Sequence, residues 1–299
     1  MLFPPPLTAG ARVALIAPAG ALRGPEQLET AMHNARTLGW EPVAGANALA
    51  RHGYLGGSDA QRLHDLNVAL ADESIDAIWC VRGGYGATRL LDHVDYASLT
   101  RRPRALIGFS DVTALHAAVS TRCGLVTYHG PTARGELTAF SRSSLLRATV
   151  ERGDPCGAAP DARTIRGGRA HGRLVGGNLS LLAALAGTPY APDYRGALLV
   201  LEDVGEPAYR IDRMLVQLAQ SGALSHLAGL VVGHFTEMAS GDEIPGGSLD
   251  VLVREAAEIA GVPAIVGAPV GHIPDQWTLP LGASARLDAD ALTLTVDQS

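Results

Sequence analysis

The sequence predicts an α/β protein of two domains: an N-terminal domain on a parallel sheet, and a smaller C-terminal domain of mixed α/β type. Three observations predict it. Short apolar runs alternate with helical patterns through the first half, as in βαβ units whose sheet is covered on both faces. Residues 153–172 (GDPCGAAPDARTIRGGRAHG) are rich in Gly, Pro, Ala and Arg and carry no periodicity, which predicts an inter-domain linker. At 299 residues, the chain also reaches the length at which single cores divide.

The elements follow in order. Residues 13–17 (VALIA) predict a strand, and 25–38 a helix that stops at Gly39. Residues 59–71 predict a helix whose apolar face is Leu63, Leu66, Val68 and Leu70, and 77–81 (AIWCV) a strand. A strand at 104–108, a helix at 111–121 and a strand at 125–128 complete the N-terminal pattern. In such sheets, ligands bind beyond the carboxyl ends of the strands, where Gly83-Gly84-Tyr85-Gly86 and Ser110 both fall. The second half opens with Arg173-Leu174-Val175-Gly176-Gly177-Asn178, ahead of a helix at 179–186. Strands at 197–201, 230–232 and 264–266 and helices at 211–220 and 249–259 follow. The tail, 283–287 and 291–296, reads as β, with alternation in Leu292, Leu294 and Val296.

Charge and cysteine content narrow the function classes. A formal net charge of −6 with no basic block argues against nucleic-acid binding, and the Arg101-Arg102 pair is too short to neutralise phosphates. Cys80, Cys123 and Cys156 contain no CxxC pair, so neither a zinc site nor a disulfide framework is expected. Cys80 reads as a buried small hydrophobe. The N-terminal apolar run is too short for a signal peptide, and no later run suits a membrane span, so a reducing cytoplasm is expected.

The stretch richest in chemistry is Arg104-Ala105-Leu106-Ile107-Gly108-Phe109-Ser110-Asp111-Val112-Thr113. A strand ends in Gly-x-Ser-Asp and turns directly into a helix, the setting in which nucleophile elbows expose a serine near free backbone N–H groups. Val112 replaces the second glycine of that motif, so the motif depends on partners elsewhere. A serine nucleophile needs a base, and the base an orienting acid. His116 lies six residues on, about 600° around a helix, and faces away. His129, His234 and His272 each end an apolar run beside a glycine, and periodicity does not choose among them. Four apolar residues end in Glu202-Asp203; adjacent strand residues point to opposite faces, so only one of the two faces a given site. Glu206 reads as surface. For the oxyanion, Arg82-Gly83-Gly84-Tyr85-Gly86 presents backbone N–H groups, with the N–H of Asp111 as second donor. The glycines lack GxGxxG spacing, no GxxxxGK[ST] occurs, and Gly176-Gly177-Asn178 has no lysine, so a nucleotide cofactor is not expected.

Together these motifs resemble the LD-carboxypeptidases, a family of serine peptidases. The resemblance runs in order through Ile16-Ala17-Pro18, Arg82-Gly83-Gly84-Tyr85-Gly86, Gly108-Phe109-Ser110-Asp111, Tyr128-His129-Gly130-Pro131, Gly176-Gly177-Asn178-Leu179, Leu201-Glu202-Asp203, Gly233-His234-Phe235, Gly271-His272 and Leu279-Pro280-Leu281-Gly282. It implies a triad of Ser110 as nucleophile, His272 as base and Glu202 as the acid, with the backbone N–H groups of Gly84 and Asp111 as oxyanion hole. His129 and His234 then become supporting residues, and Asp203 points away. It also implies a flavodoxin-like or amidotransferase-like N-terminal domain (1–152) bearing Ser110. A swivelling C-terminal domain (173–299) bears Glu202 and His272, the site lies between them, and the molecule is a homodimer. The implied activity is release of C-terminal D-Ala from murein tetrapeptides in cell-wall recycling, with no metal or cofactor. An immunity-type peptidase acting on peptidyl- or aminoacyl-adenylates, as against microcin C, is the alternative; a non-catalytic muropeptide sensor is the reading from another class. Gly83, Tyr85, Arg82 and Asn178 are candidate substrate contacts, with Arg82 and Arg89 as cations for a terminal carboxylate. Residues 273–277 match no family pattern, and Trp277 within them either stacks on substrate or packs.

Overall fold

The computed structural model describes residues 1–238 and 249–298. Strands β1 (Arg12–Ile16), β2 (Glu41–Ala44), β3 (Ala77–Cys80), β4 (Ala105–Gly108) and β5 (Thr127–His129) run parallel in the order β2-β1-β3-β4-β5. β3, β4 and β5 are buried throughout, which is why they read as unbroken apolar runs rather than alternating ones. Helix α1 (Pro25–Thr37) packs Ala31 and Ala35 with Trp40 and Trp79 on one face of the sheet. Helix α2 (Asp59–Ala71) packs Leu66 and Leu70 with Ile78 and Leu106 on the other. Ser58 starts α2 through a capping box with Gln61. Helix α3 (Tyr96–Arg101) and helix α4 (Thr113–Cys123) follow on the α2 face; α4 stops at Gly124, whose φ of +61° suits glycine. Helix α5 (Ala139–Leu146) lies on the α1 face.

The second sheet draws on β6 (Gly157–Ala158), β7 (Arg163–Arg166), β8 (Arg169–Asn178), β9 (Ala197–Val204), β10 (Gly229–Thr236) and β11 (Ala264–Val266). Next in sequence comes β12 (Leu279–Leu281), which belongs to the first sheet, pairing antiparallel with β5. Strands β13 (Ser284–Asp288) and β14 (Thr293–Asp297) return to the second, whose order is β6-β14-β13-β8-β9-β10-β11-β7. β8 to β11 are parallel and the flanking strands antiparallel. Helices α6 (Leu179–Leu185), α7 (Ala208–Gln220) and α8 (Leu249–Ala260) pack on this sheet.

The segment 153–172, expected as an inter-domain linker, contains β6, β7 and the start of β8. β7 is an edge strand in which only Ile165 is buried, so no apolar run marks it. The second sheet has eight strands and the first six. The two halves meet where α4 packs against α6: Leu185 and Tyr190 join the core cluster containing Leu115 and Ala118. The Asn178 N–H donates to Thr113 Oγ1 at 3.0 Å across the same junction. Among the described residues, no helix is long and apolar enough to cross a membrane.

Candidate active site

The serine sits where β4 breaks into a helix. A Cβ on Gly108 would lie 3.1 Å from both Cys80 Cβ and Val112 Cγ2, so a side chain at the last position of β4 would press on both neighbours. Phe109 is extended, and Ser110 then takes φ +65°, a left-handed conformation rare for a residue with a side chain. A single 3₁₀ turn, Ser110–Val112, leads into α4. The Asp111 N–H stands in the first turn, where no intrahelical carbonyl reaches it.

The glycine loop after β3 closes over this turn. A Cβ on Gly83 would fall 2.7 Å from Ser110 Cβ, and one on Gly84, at φ +116°, 3.0 Å from Gly20 Cα. Glycine therefore permits both the approach to the serine and the approach to the β1 loop. The loop is tied to the nucleophile by Asp111, whose buried carboxylate accepts the Ala87 N–H at 2.8 Å. Burial pushes this carboxyl up to about 6. Arg62, fully buried on α2, donates to Gly86 O at 2.8 Å and to Pro18 O, fixing the loop from behind.

Glu202 and His272 come from the second half. Glu202, on β9, is fully buried, and its Oε2 accepts from His272 Nδ1 at 2.9 Å. Burial pushes the Glu202 carboxyl up, and the bond to His272 pulls it back. Gly271 makes this contact possible: at φ +119°, a Cβ there would sit 3.1 Å from Glu202 Cβ and 3.0 Å from His234 O. The imidazole packs on Phe109, ring centroids 4.7 Å apart, which sets it beside the residue preceding Ser110. No hydrogen bond joins Ser110 to His272 among the described residues. Unliganded sites often hold such pairs loosely until substrate tightens them.

The remaining histidines have other surroundings. His129 is fully buried with both ring nitrogens unpartnered, and burial holds it well below its ordinary value. His116 bonds Gly108 O at 2.8 Å and is pushed down to about 4 by burial. His234 is half-buried, and the charges it feels are those of Asp161 and Arg163. Asp203 faces away from Glu202, holding Asn178 Nδ2 at 2.8 Å and the Ser180 N–H at 2.8 Å.

Several expected contacts are corrected. Trp277 is 1 % exposed, packed among Leu279, Leu281 and Ala283, so it has no face for substrate. Asn178 is buried, and its side chain caps α6 through the Leu181 N–H while bonding Asp203. Arg89 is committed to Asp59, Nη2 to Oδ2 at 2.7 Å. Gly83 lies against Ser110, and Tyr85 is exposed, its ring 5.8 Å from that of Tyr54. Sequence reasoning missed the roles of Phe109, Thr113 and Arg62. For Arg62 a signal existed, because Arg62, Leu66 and Ala69 share one helix face at i, i+4, i+7 and all three are buried.

Comparison with known proteins gives concordant findings. The model of the LD-carboxypeptidase N-terminal domain matches residues 13–130, and that of the LD-carboxypeptidase C-terminal domain matches 171–287. A putative carboxypeptidase of Streptomyces coelicolor is 40% identical, over 100% of this chain and 97% of its own length. A murein tetrapeptide carboxypeptidase of Pseudomonas aeruginosa is 36% identical, over 94% of each chain. Among solved structures, a muramoyltetrapeptide carboxypeptidase from Oxalobacter formigenes superposes with a TM-score of 0.85 at 31% identity, covering 96% of this chain and 98% of that one.

Proposed function

The chain belongs to the LD-carboxypeptidase family, and from that premise we propose that it releases C-terminal D-Ala from murein tetrapeptides, with Ser110, His272 and Glu202 as its triad. It is a serine-type carboxypeptidase by family. The observation that carries the assignment of residues is the buried Glu202–His272 pair, seated on the ring next to Ser110. Of the histidines weighed as base, His272 alone holds a carboxylate on one nitrogen and keeps the other for the serine.

With Glu202 ionised, Nδ1 of His272 carries the proton and Nε2 is free to accept one. Ser110 Oγ attacks the amide carbonyl carbon as its proton passes to Nε2. The carbonyl oxygen becomes an oxyanion, held by the N–H groups of Gly84 and Asp111. Collapse of this intermediate breaks the C–N bond, and the Nε2 proton goes to the departing D-Ala amine. Water then attacks the acyl-serine by the same route and frees the carboxylate product.

Three free cysteines agree with the cytoplasm as the place of reaction. The homodimer belongs to the same proposal and is read by sedimentation.

The test is D-Ala release from L-Ala-γ-D-Glu-meso-diaminopimelate-D-Ala, followed by mass spectrometry beside an aminoacyl-sulfamoyl-adenosine. Wild type is expected to cleave the tetrapeptide, and Ser110→Ala or His272→Ala to lose about 10⁶ in kcat. Near-normal turnover in His272→Ala would reassign the base. Cleavage of the adenylate analogue alone would replace the substrate class.

A further inference from the structure

Four arginines converge at the carboxyl ends of β1 and β3, each from a different connection. Arg82 follows β3 directly, and its guanidinium donates to Ala21 O in the loop after β1. Arg23 lies in that same loop. Arg51, from the connection between β2 and α2, donates to Leu22 O at 2.6 Å. Arg134 belongs to the chain leaving β5, which crosses back over the sheet: its N–H donates to Val81 O at 3.4 Å, and the Ala133 N–H to Cys80 O at 3.0 Å. In the strand order β2-β1-β3-β4-β5, the chain leaves β1 toward one side and β3 toward the other. The crevice outside these two strands is the topological switch point, the usual ligand position in open α/β sheets.

Among the described residues, no carboxylate lies within ion-pair distance of any of the four, in contrast to Arg89, Arg102 and Arg163 on the surface. The guanidinium of Arg134 has no protein acceptor among the described residues, and its Nε is buried without a partner. Arg82 and Arg134 are half-buried, and among the described residues the charges that bear on them are other arginines: Arg23 and Arg51 on the first, Arg82 and Arg23 on the second. Burial and this mutual repulsion push both guanidinium groups down. Concentrating unpaired cations in a protein of net charge −6 is costly unless an anion arrives to pair with them. The site is also close to the chemistry. Arg82 precedes Gly83, on which a Cβ would touch Ser110, and its own Nε would lie 3.3 Å from a Cβ on Gly20.

We propose that Arg82 and Arg134, flanked by Arg23 and Arg51, form an anion pocket beside Ser110 that receives a carboxylate of the substrate. The inference rests on the peptidase reading above, and it adds the groups that make an exopeptidase select an acidic peptide. Planar guanidinium forks suit carboxylates, and each arginine offers five N–H donors. Three free carboxylates of the tetrapeptide share this chemistry: that of the departing D-Ala, the α-carboxylate of γ-D-Glu and the D-centre carboxylate of diaminopimelate.

The experiment compares the tetrapeptide with its C-terminal amide, its γ-glutamyl α-amide and its diaminopimelate D-centre amide, on wild type, Arg82→Met, Arg134→Met and Arg134→Lys. Arg134→Met is expected to raise KM about 10- to 100-fold, with a smaller change in kcat, and Arg134→Lys to recover part of the loss. The amide that removes the recognised carboxylate costs wild type a similar factor and costs Arg134→Met little more, and that coupling names the carboxylate. A second readout needs no turnover: citrate at constant ionic strength raises the melting temperature of wild type and not of Arg134→Met. Tetrapeptide cleavage with wild-type discrimination retained in both methionine variants overturns the pocket. An uncut tetrapeptide with a citrate shift lost in Arg134→Met overturns the proposed substrate and leaves the pocket standing.

Discussion

Ser110 holds a backbone conformation that costs a residue with a side chain about 1–3 kcal/mol, and the surrounding loops must supply that energy. Glu202 presents the same conflict in electrostatic form. Burial raises its carboxyl, so the ionised group is less favourable in the fold than in the unfolded chain. The stability it lends is therefore full below the ordinary carboxylate range and is lost as pH rises through the raised value. Glu202→Gln removes that dependence, because glutamine is uncharged throughout. We expect kcat to fall about 10⁴-fold, while the melting temperature at neutral pH equals or exceeds that of wild type; a clear drop there would show that the charge is not a burden on the fold. At this scale the serine, the glutamate and the histidine were legible as types at the ends of apolar runs, but the pairing was not. Glu202 and His272 are 70 positions apart, and nothing in the local pattern of His129 or His234 distinguishes them from His272. Arg134 was invisible for a different reason: a loop arginine has no period, and only the missing counter-ion marks it.

Turns and strands place these groups, and here glycine positions decide. Gly271→Ala puts a Cβ against Glu202 and the His234 carbonyl at a φ that disfavours any side chain. A displacement of His272 of this kind is expected to cost about 10²-fold in kcat and about 1–3 kcal/mol in stability. Gly153→Ala is the control, since a Cβ there meets nothing within 4 Å. Steady-state kinetics beside thermal melts checks both, and equal behaviour of the two variants would contradict the steric account. The parallel strands were readable because burial on both faces makes them continuously apolar, as at β3 and β4. β7 was not readable, with one buried residue in four, nor was β12, a three-residue Leu-Pro-Leu strand whose proline argues against a ladder position. Both are edge strands, specified by the partner they meet rather than by their own pattern.

For the whole molecule, the question is whether two sheets make two cooperative units. The contacts argue for one. Leu185 and Tyr190 complete the core over α4, Asn178 bonds Thr113, and β12 crosses from the second half to pair with β5. Calorimetry is therefore expected to record a single unfolding transition, with Ser110→Ala as the reference protein. Two separated transitions would show that these contacts do not couple the halves. The division into a parallel and a mixed sheet was legible from the change in pattern near the middle of the chain, whereas the strand that crosses back was not.

That crossing strand also governs the order in which the protein can be made. During synthesis β1 to β5 emerge early, yet the outer ladder of β5 stays unpaired until residue 281 has left the ribosome. An open, buried-type edge is a template for pairing with other chains, and slow vectorial synthesis prolongs its exposure. A nascent chain stalled before Leu279 would therefore display β5 to its neighbours, which makes the interval between the emergence of β5 and that of β12 the one in which chaperone capture matters most.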